Sequence, residues 1–389
     1  MIDLTAGVTT PQGFLASGVA AGLKSSKKKD IALVVSQGPE YTCAAVFTSN
    51  RFQAAPVQWS KQVTANGVLK GVILNSGGAN ACTGDQGSQD CATTAQKAAE
   101  LIGCTPEDIA VCSTGLIGVL LDMDKVVPGI ALATQMLSPD GGTSAAEAIM
   151  STDTVTKQAA YTSSQGWSVA GMAKGAGMLA PALATMLVVI TTDAQVTHSQ
   201  ASAFLAQATH LSFDRADSDG CMSTNDSVIL MANGASGIEP DHTEFQEALT
   251  AVCVSLAKQL IDDAEGAQHA ITITVRQSAT QDDALEVARS IARSNLFKCA
   301  IAGNDPNWGR VLAAMGTTQA AYDPTKVDVL FNGVGVFLAG ALGAPRDQVD
   351  LTGFEVNVEV ALHEGDQEAT LWTNDLTHGY VSENADYPT

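Results

Sequence analysis

The chain reads as an α/β protein: layered mixed sheets with packed helices, in two to three lobes. Three observations predict this. Apolar runs of strand length alternate with longer segments of helical spacing. No internal repeat interrupts the mixture. The 389 residues are 46% apolar and 16% charged, which is a packed chain too long for one ordinary core.

The elements follow in order. Residues 31–36 (Ile-Ala-Leu-Val-Val-Ser) and 72–75 (Val-Ile-Leu-Asn) predict strands that end in polar loops. Residues 90–102 predict a helix, because Cys91, Ala95, Ala98, Ala99 and Ile102 recur at helical spacing. A strand over 109–112 runs directly into Ser113-Thr114-Gly115. Residues 138–143 form a turn, with the next helix starting at Ser144. Residues 187–190 are a short apolar run of the kind a buried strand shows. Helices are expected over 199–210 and over 244–262, the second with Leu249, Val252, Leu256 and Leu260 on one face. Residues 270–276 alternate and predict a strand. The polar segment 277–283 is the expected lobe boundary, giving a catalytic region 1–280 and a C-terminal lobe 281–389. A helix over 284–295 and strands over 327–331, 355–360 and 368–372 complete the reading.

The net charge is −21 and is unevenly spread, −2 over residues 1–184 and −19 over 185–389. That acidity excludes nucleic acid and an anionic membrane surface as expected partners. It suits a cationic small molecule and equally the solubility of an acidic protein. The N-terminal residues lack the basic and apolar regions of a signal peptide. The longest run free of both charge and strong polarity, 178–190, contains Pro181 and Thr185 and is too short to span a bilayer. A cytoplasmic protein is expected. The eight cysteines form no Cys-x-x-Cys pair and are expected to be reduced and buried. The six histidines are scattered, and no metal site is expected.

The segment 174–193 carries the most chemistry. Lys174 heads a loop with Gly175, Gly177 and Pro181, and Thr185 follows the small residue Ala184. A threonine hydroxyl is a poor nucleophile unless a base takes its proton. Cutting the chain before it supplies one: the freed α-amine has a pKa of about 7.7–8.0 and accepts and returns a proton at working pH. Ala184–Thr185 is therefore the expected self-cleavage site and Thr185 the nucleophile.

Several further stretches carry a resemblance. They are residues 10–24 (from Thr10-Pro-Gln-Gly-Phe), 46–57 (Val46-Phe-Thr-Ser-Asn-Arg), 75–84 (Asn75-Ser-Gly-Gly-Ala-Asn), Ser113-Thr-Gly-Leu-Ile-Gly118, Ser223-Thr-Asn-Asp226, Gly303-Asn-Asp-Pro-Asn-Trp-Gly-Arg310 and Asn384-Ala-Asp-Tyr387. In order and over nearly the whole chain they resemble the ornithine acetyltransferase family, the glutamate N-acetyltransferases of arginine biosynthesis.

The resemblance implies a self-processing fold like that of the family and of related aminopeptidases, with an α chain 1–184 and a β chain 185–389 paired as α2β2. It implies that Thr114 and Gly115 form the oxyanion hole, and that Ser151, Thr152, Lys174, Thr185, Glu265, Asn384 and Thr389 contact substrate. The chain departs from the family pattern at Ala264, at Gln268-His269, at Gly78 and at Pro388. For the motif 305–310 the expected role is a turn seating Trp308 and Arg310 in the lobe interface.

The expected reaction moves an acetyl group from N2-acetyl-ornithine to glutamate through acetyl-Thr185, with ping-pong kinetics and no dissociable cofactor. The resemblance leaves open acetyl-CoA as a second donor to glutamate. No phosphate-cradling glycine loop stands in this chain, since Gly333-Val-Gly335 lacks the spacing. Two alternatives are a self-cleaving aminopeptidase or amidase, in which water replaces glutamate, and an uncleaved, non-catalytic amino-acid-binding protein.

Overall fold

The first two strands, β1 (Phe14–Val19) and β2 (Ile31–Ser36), pair antiparallel. β2 shows why the architecture is layered. Its alternate residues Ile31, Leu33 and Val35 enter one buried cluster, and Ala32 and Val34 enter another. A strand buried on both faces needs packing partners above and below. The chain continues through β3 (Thr42–Phe47), α1 (Ala55–Thr64), β4 (Gly71–Asn75), α2 (Gly84–Ile102), β5 (Ile109–Ser113), α3 (Met123–Gln135) and α4 (Gly142–Ile149). Next come β6 (Lys157–Thr162), β7 (Ser168–Lys174), β8 (Leu187–Thr192), α5 (His198–His210), β9 (Ser227–Ala232) and α6 (His242–Asp262). One sheet runs β1-β2-β4-β5 and a second runs β3-β9-β8-β7-β6.

Both sheets belong to one unit, Met1–Asp214 with Cys221–Leu260. Phe14, Val34, Leu74 and Cys112 of the first sheet share a cluster with Met172, Val189 and Ile229 of the second, together with Ala145 and Ile149 of α4. α2 and α3 cover the outer face of the first sheet through Ala95, Ala98, Val126 and Ile130. The layer order helix, sheet, sheet, helix, the last being α6 with Leu256 against Gly171 of β7, is thus built from period-2 strands and period-3.6 helices.

The second unit is Arg215–Gly220 with Ile261–Thr389. It contains β10 (Ala270–Ser278), α7 (Gln281–Ala292), α8 (Asn295–Ala302), α9 (Trp308–Met315), β11 (Asp328–Phe331), β12 (Val334–Leu338), β13 (Ala341–Leu342), β14 (Glu355–Ala361), β15 (Gln367–Asn374) and α10 (His378–Asp386). Its sheet runs β13-β12-β11-β14-β10-β15. Ile271, Ile273 and Val275 of β10 and Val356, Val358 and Val360 of β14 point to one face, which Leu285, Ala288 and Ile291 of α7 cover. The segment 277–283, expected to be a lobe boundary, lies inside this unit between β10 and α7. There Thr280 caps α7 by accepting from the Asp283 N–H.

The computed structural model describes residues 1–179 and 186–386. Ala184, Thr185 and Thr389 lie outside the described residues. Among the described residues no helix is long and apolar enough to cross a membrane. None of the described cysteines is in a disulfide; Cys43, Cys91, Cys112 and Cys253 are buried, whereas Cys82, Cys221 and Cys299, expected inside, are exposed.

Candidate active site

The parallel strands β4 and β5 end together at Asn75 and Ser113. The Asn75 Nδ2 donates to Ser113 Oγ at 2.6 Å, which squares the two strand ends. Beyond them the chains stay paired: Thr114 N–H donates to Asn75 O at 3.0 Å and Gly78 N–H to Thr114 O at 3.0 Å. The backbone turns sharply after Thr114, since Gly115 has φ +134°, a region that glycine alone enters readily. A Cβ at Gly115 would lie 2.8 Å from both the N and the Cα of Gly78. The Ser113-Thr114-Gly115 turn is therefore held in one conformation by the neighbouring strand.

Lys174, the last residue of β7, brings a cation to that turn. Its Nζ donates to Thr114 Oγ1 at 3.2 Å, and the lysine is 1% exposed. An ammonium has donors only, so it takes the hydroxyl oxygen as acceptor. The Thr114 O–H is thereby left to donate elsewhere. A hydroxyl and a neighbouring backbone N–H on one turn are the parts of an oxyanion hole.

The buried lysine has a counterion. Asp153 Oδ1 accepts from Lys157 Nζ at 2.7 Å and from the Gly175 N–H at 2.6 Å, and its Oδ2 accepts from the Ser151 N–H at 2.9 Å. Burial works to raise the Asp153 carboxyl, but Lys174, Lys157 and these hydrogen bonds overcome it and hold the group well below the usual carboxylate range. Lys24 stands on the edge of the cluster, donating to Met150 O at 2.6 Å and Lys29 O at 3.0 Å. Burial lowers its ammonium to about 8, with Asp30 opposing and Lys174 adding to the shift.

Asp153→Asn leaves two buried ammonium groups without their carboxylate. We expect it to lose about 3–5 kcal/mol of stability at neutral pH. The Asp153 pKa is depressed by folding, so its stabilisation is present above the ordinary carboxylate value of about 3.9 and is lost as pH falls below it. The gap between wild type and Asp153→Asn should therefore narrow in acid. Urea midpoints across pH check both statements; a constant gap contradicts them.

The second unit holds another pair of candidate residues. Asn384 Nδ2 on α10 donates to Glu265 Oε2 at 2.9 Å. The Glu265 loop is held against the start of α10: Thr377 Oγ1 donates to Gly266 O at 2.6 Å, and a Cβ at Gly266 would lie 2.1 Å from Tyr380 N. The departures at Gln268 and His269 serve the same loop. Both N–H groups donate to Asp375 Oδ1, at 2.9 and 3.1 Å, and the buried His269 ring bridges Asp375 Oδ2 and Leu351 O.

The structure thus brings Thr114, Gly115 and Lys174 together and, separately, Glu265 and Asn384. Ser151 is exposed and Thr152 half-buried on the segment that Asp153 anchors. Sequence reasoning missed the role of Asp153, Lys157 and Lys24. The i,i+4 opposite charges of Asp153 and Lys157 were a readable signal. The motif 305–310 also differs from its expected role. Asn307 caps α9, Trp308 stacks on Phe337 with ring centroids 5.0 Å apart, and Arg310 donates to Leu296 O. These partners all lie in the second unit, so the motif serves that unit's own packing. Among the described residues no group of His, Cys, Asp and Glu is arranged to hold a metal.

Known proteins resemble this chain over nearly its whole length. The model of the ArgJ family matches residues 15–389. The arginine biosynthesis bifunctional protein ArgJ of Streptomyces avermitilis is 57% identical over 380 residues, covering 98% of this chain and 99% of its own. Its namesake from Bifidobacterium longum is 55% identical over 387 residues, with 98% and 99% covered. A crystal structure of ornithine acetyltransferase from Mycobacterium tuberculosis, complexed with ornithine, is 48% identical and covers 48% of this chain and 99% of its own, with a TM-score of 0.46.

Proposed function

The chain belongs to the ArgJ family of bifunctional arginine-biosynthesis proteins, and from that premise we propose that it is a self-processing acetyltransferase acting through Thr185. In maturation, Thr185 Oγ attacks the Ala184 carbonyl carbon, the peptide C–N bond breaks as the amine takes a proton, and water hydrolyses the resulting ester. An α chain 1–184 and a β chain 185–389 result. In turnover the freed amine takes the Thr185 hydroxyl proton while Oγ attacks the acetyl carbonyl of N2-acetyl-ornithine. Thr114 O–H and Gly115 N–H hold the oxyanion. Ornithine leaves with a proton returned by the amine, and glutamate then accepts the acetyl group.

The observation that carries this reading is the 3.2 Å bond from Lys174 to Thr114 Oγ1. It ties the Thr114 hydroxyl to the end of β7, and β7 pairs with β8 so that Lys174 sits opposite Leu187, two residues after Thr185. For substrate recognition the proposal keeps Ser151, Thr152, Lys174, Glu265, Asn384 and Thr389, a glutamate suiting an α-ammonium. Acetyl-CoA as a second donor, an α2β2 assembly and a cytoplasmic setting belong to the same proposal.

The test is the intact mass of the β chain after incubation with N2-acetyl-ornithine and no acceptor. An acetylated β chain that glutamate discharges is expected. Discharge by water at the same rate without glutamate points to the amidase reading. No adduct at all contradicts acyl transfer through Thr185.

A further inference from the structure

The segment Asn225-Asp226-Ser227 braces two parts of the site at once. On one side, Asn225 Nδ2 donates to Ser113 O at 2.8 Å and to Ala79 O at 2.6 Å. Those carbonyls flank the turn that carries Thr114 and Gly115. On the other side, Asp226 Oδ1 accepts from the Met186 N–H at 3.0 Å, and the Ser227 N–H donates to Met186 O at 3.2 Å. Both peptide groups of Met186 are therefore held, and the parallel pairing of β8 with β9 continues from Leu187 and Ser227. Met186 is covalently joined to Thr185. The amide that Asp226 holds is the one that closes the Thr185 residue.

Asp226 is itself unusual. Its side chain is fully buried, and Oδ2 has no hydrogen-bond partner among the described residues. Burial pushes the carboxyl well above its ordinary range, against the pull of the Met186 N–H, Lys174 and the Ser223 and Thr48 hydroxyls. A buried carboxyl oxygen with no partner at hydrogen-bond distance costs stability and calls for an explanation.

We propose that Asp226 is a positioning residue for the Thr185 junction, holding the Met186 amide through Oδ1. The proposal rests on the reading of Thr185 as the nucleophile. Asp226 acts through the backbone of Met186 and touches neither substrate nor acetyl group in this account. Asparagine has the same shape and keeps an acceptor oxygen for the Met186 N–H. Alanine has neither. The two variants therefore separate positioning from bulk.

The experiment follows self-cleavage by intact mass in full-length wild type, Asp226→Ala, Asp226→Asn and Asp193→Asn, each checked for native circular dichroism. Asp193 is a buried carboxylate that accepts from Gln12 N and Ser168 N, and it controls for lost structure. Asp226→Ala should cleave about 10- to 100-fold more slowly, and its cleaved fraction should show a lower kcat with unchanged KM for N2-acetyl-ornithine. Asp226→Asn should restore both, and Asp193→Asn should cleave normally whatever its stability. Wild-type rates in Asp226→Ala overturn the proposal. So does a folded Asp226→Asn that cleaves more slowly than wild type, and this arm stands alone if the alanine variant does not fold. A wild type that yields no chain beginning at Thr185 overturns the nucleophile reading instead.

Discussion

Thr185→Ala is expected to remain one chain of full length and to transfer no acetyl group. The hydroxyl does two jobs in the proposal: it cuts the precursor and it carries the acetyl group. Removing it also leaves the α-nitrogen of residue 185 locked in a peptide bond, so nucleophile and base disappear together. Losses from removing a catalytic nucleophile are on the order of 10⁶-fold in kcat. Thr185→Ser keeps a hydroxyl and should cleave and turn over at a reduced rate. The amine also sets a pH dependence. Its pKa is about 7.7–8.0, and only the neutral form is a base, so wild-type kcat/KM should rise with pH through that range and level off above it. The denatured mass of purified wild type beside Thr185→Ala checks the first claim. Two chains in wild type and one in the variant are expected. One whole chain in both returns Thr185 to the approach of a buried strand and sinks the mechanism.

Much of the fold was legible wherever burial follows a simple period. The strand over 31–36 and the helix over 244–262 stand out as apolar runs, and the structure places them at Ile31–Ser36 and His242–Asp262. The elements that escaped reading have other reasons for burial. β1 buries Ser17, and β7 carries Gly171 against Leu256, so neither reads as an apolar strand. α3 contains Pro128 and Gly129, residues that weaken a helical signal, and Gly129 is retained because a Cβ would lie 2.5 Å from the Ala21 side chain. The helix expected over 284–295 ends at Ala292 because Ser294 caps the next helix, α8. The division near 260 was not legible either. It depends on β10 pairing with β14 and β15, far along the chain, and register is a property of the folded sheet.

The candidate site was legible as residue types and not as partnerships. Thr114 and Lys174 are 60 residues apart and Glu265 and Asn384 are 119 apart, and nothing local signals either hydrogen bond. Asp153 and Asp226 show the complementary lesson. Each looks like an ordinary polar loop residue, yet its surroundings drive one toward permanent charge and the other toward neutrality. Asp153 has two lysines and two backbone N–H groups. Asp226 is fully buried, and the Met186 N–H, Lys174 and the Ser223 and Thr48 hydroxyls do not offset that burial.

Gly115→Ala is the second large effect expected. At φ +134° an alanine is strained in any surroundings, and the new Cβ would meet the N and Cα of Gly78 at 2.8 Å. Those are backbone atoms, tied by the Gly78 N–H to Thr114 O at 3.0 Å, so they cannot yield as a flexible side chain would. Relief must come from the turn itself, which carries the Thr114 hydroxyl and the Gly115 N–H. In the proposed mechanism both are oxyanion donors; displacing one such donor costs about 10²–10³ in kcat, and two on one turn move together, so a loss at the upper end of that range or beyond is expected. Gly118 supplies the comparison. It has φ +80°, and a Cβ added there would have no atom within 4 Å, so Gly118→Ala meets backbone strain alone. That variant should lose about 1 kcal/mol of stability and keep its kcat. Steady-state kinetics and urea midpoints on the pair separate the two causes. Equal losses of kcat in both variants would mean that general strain, and not the placement of the oxyanion donors, governs the turn.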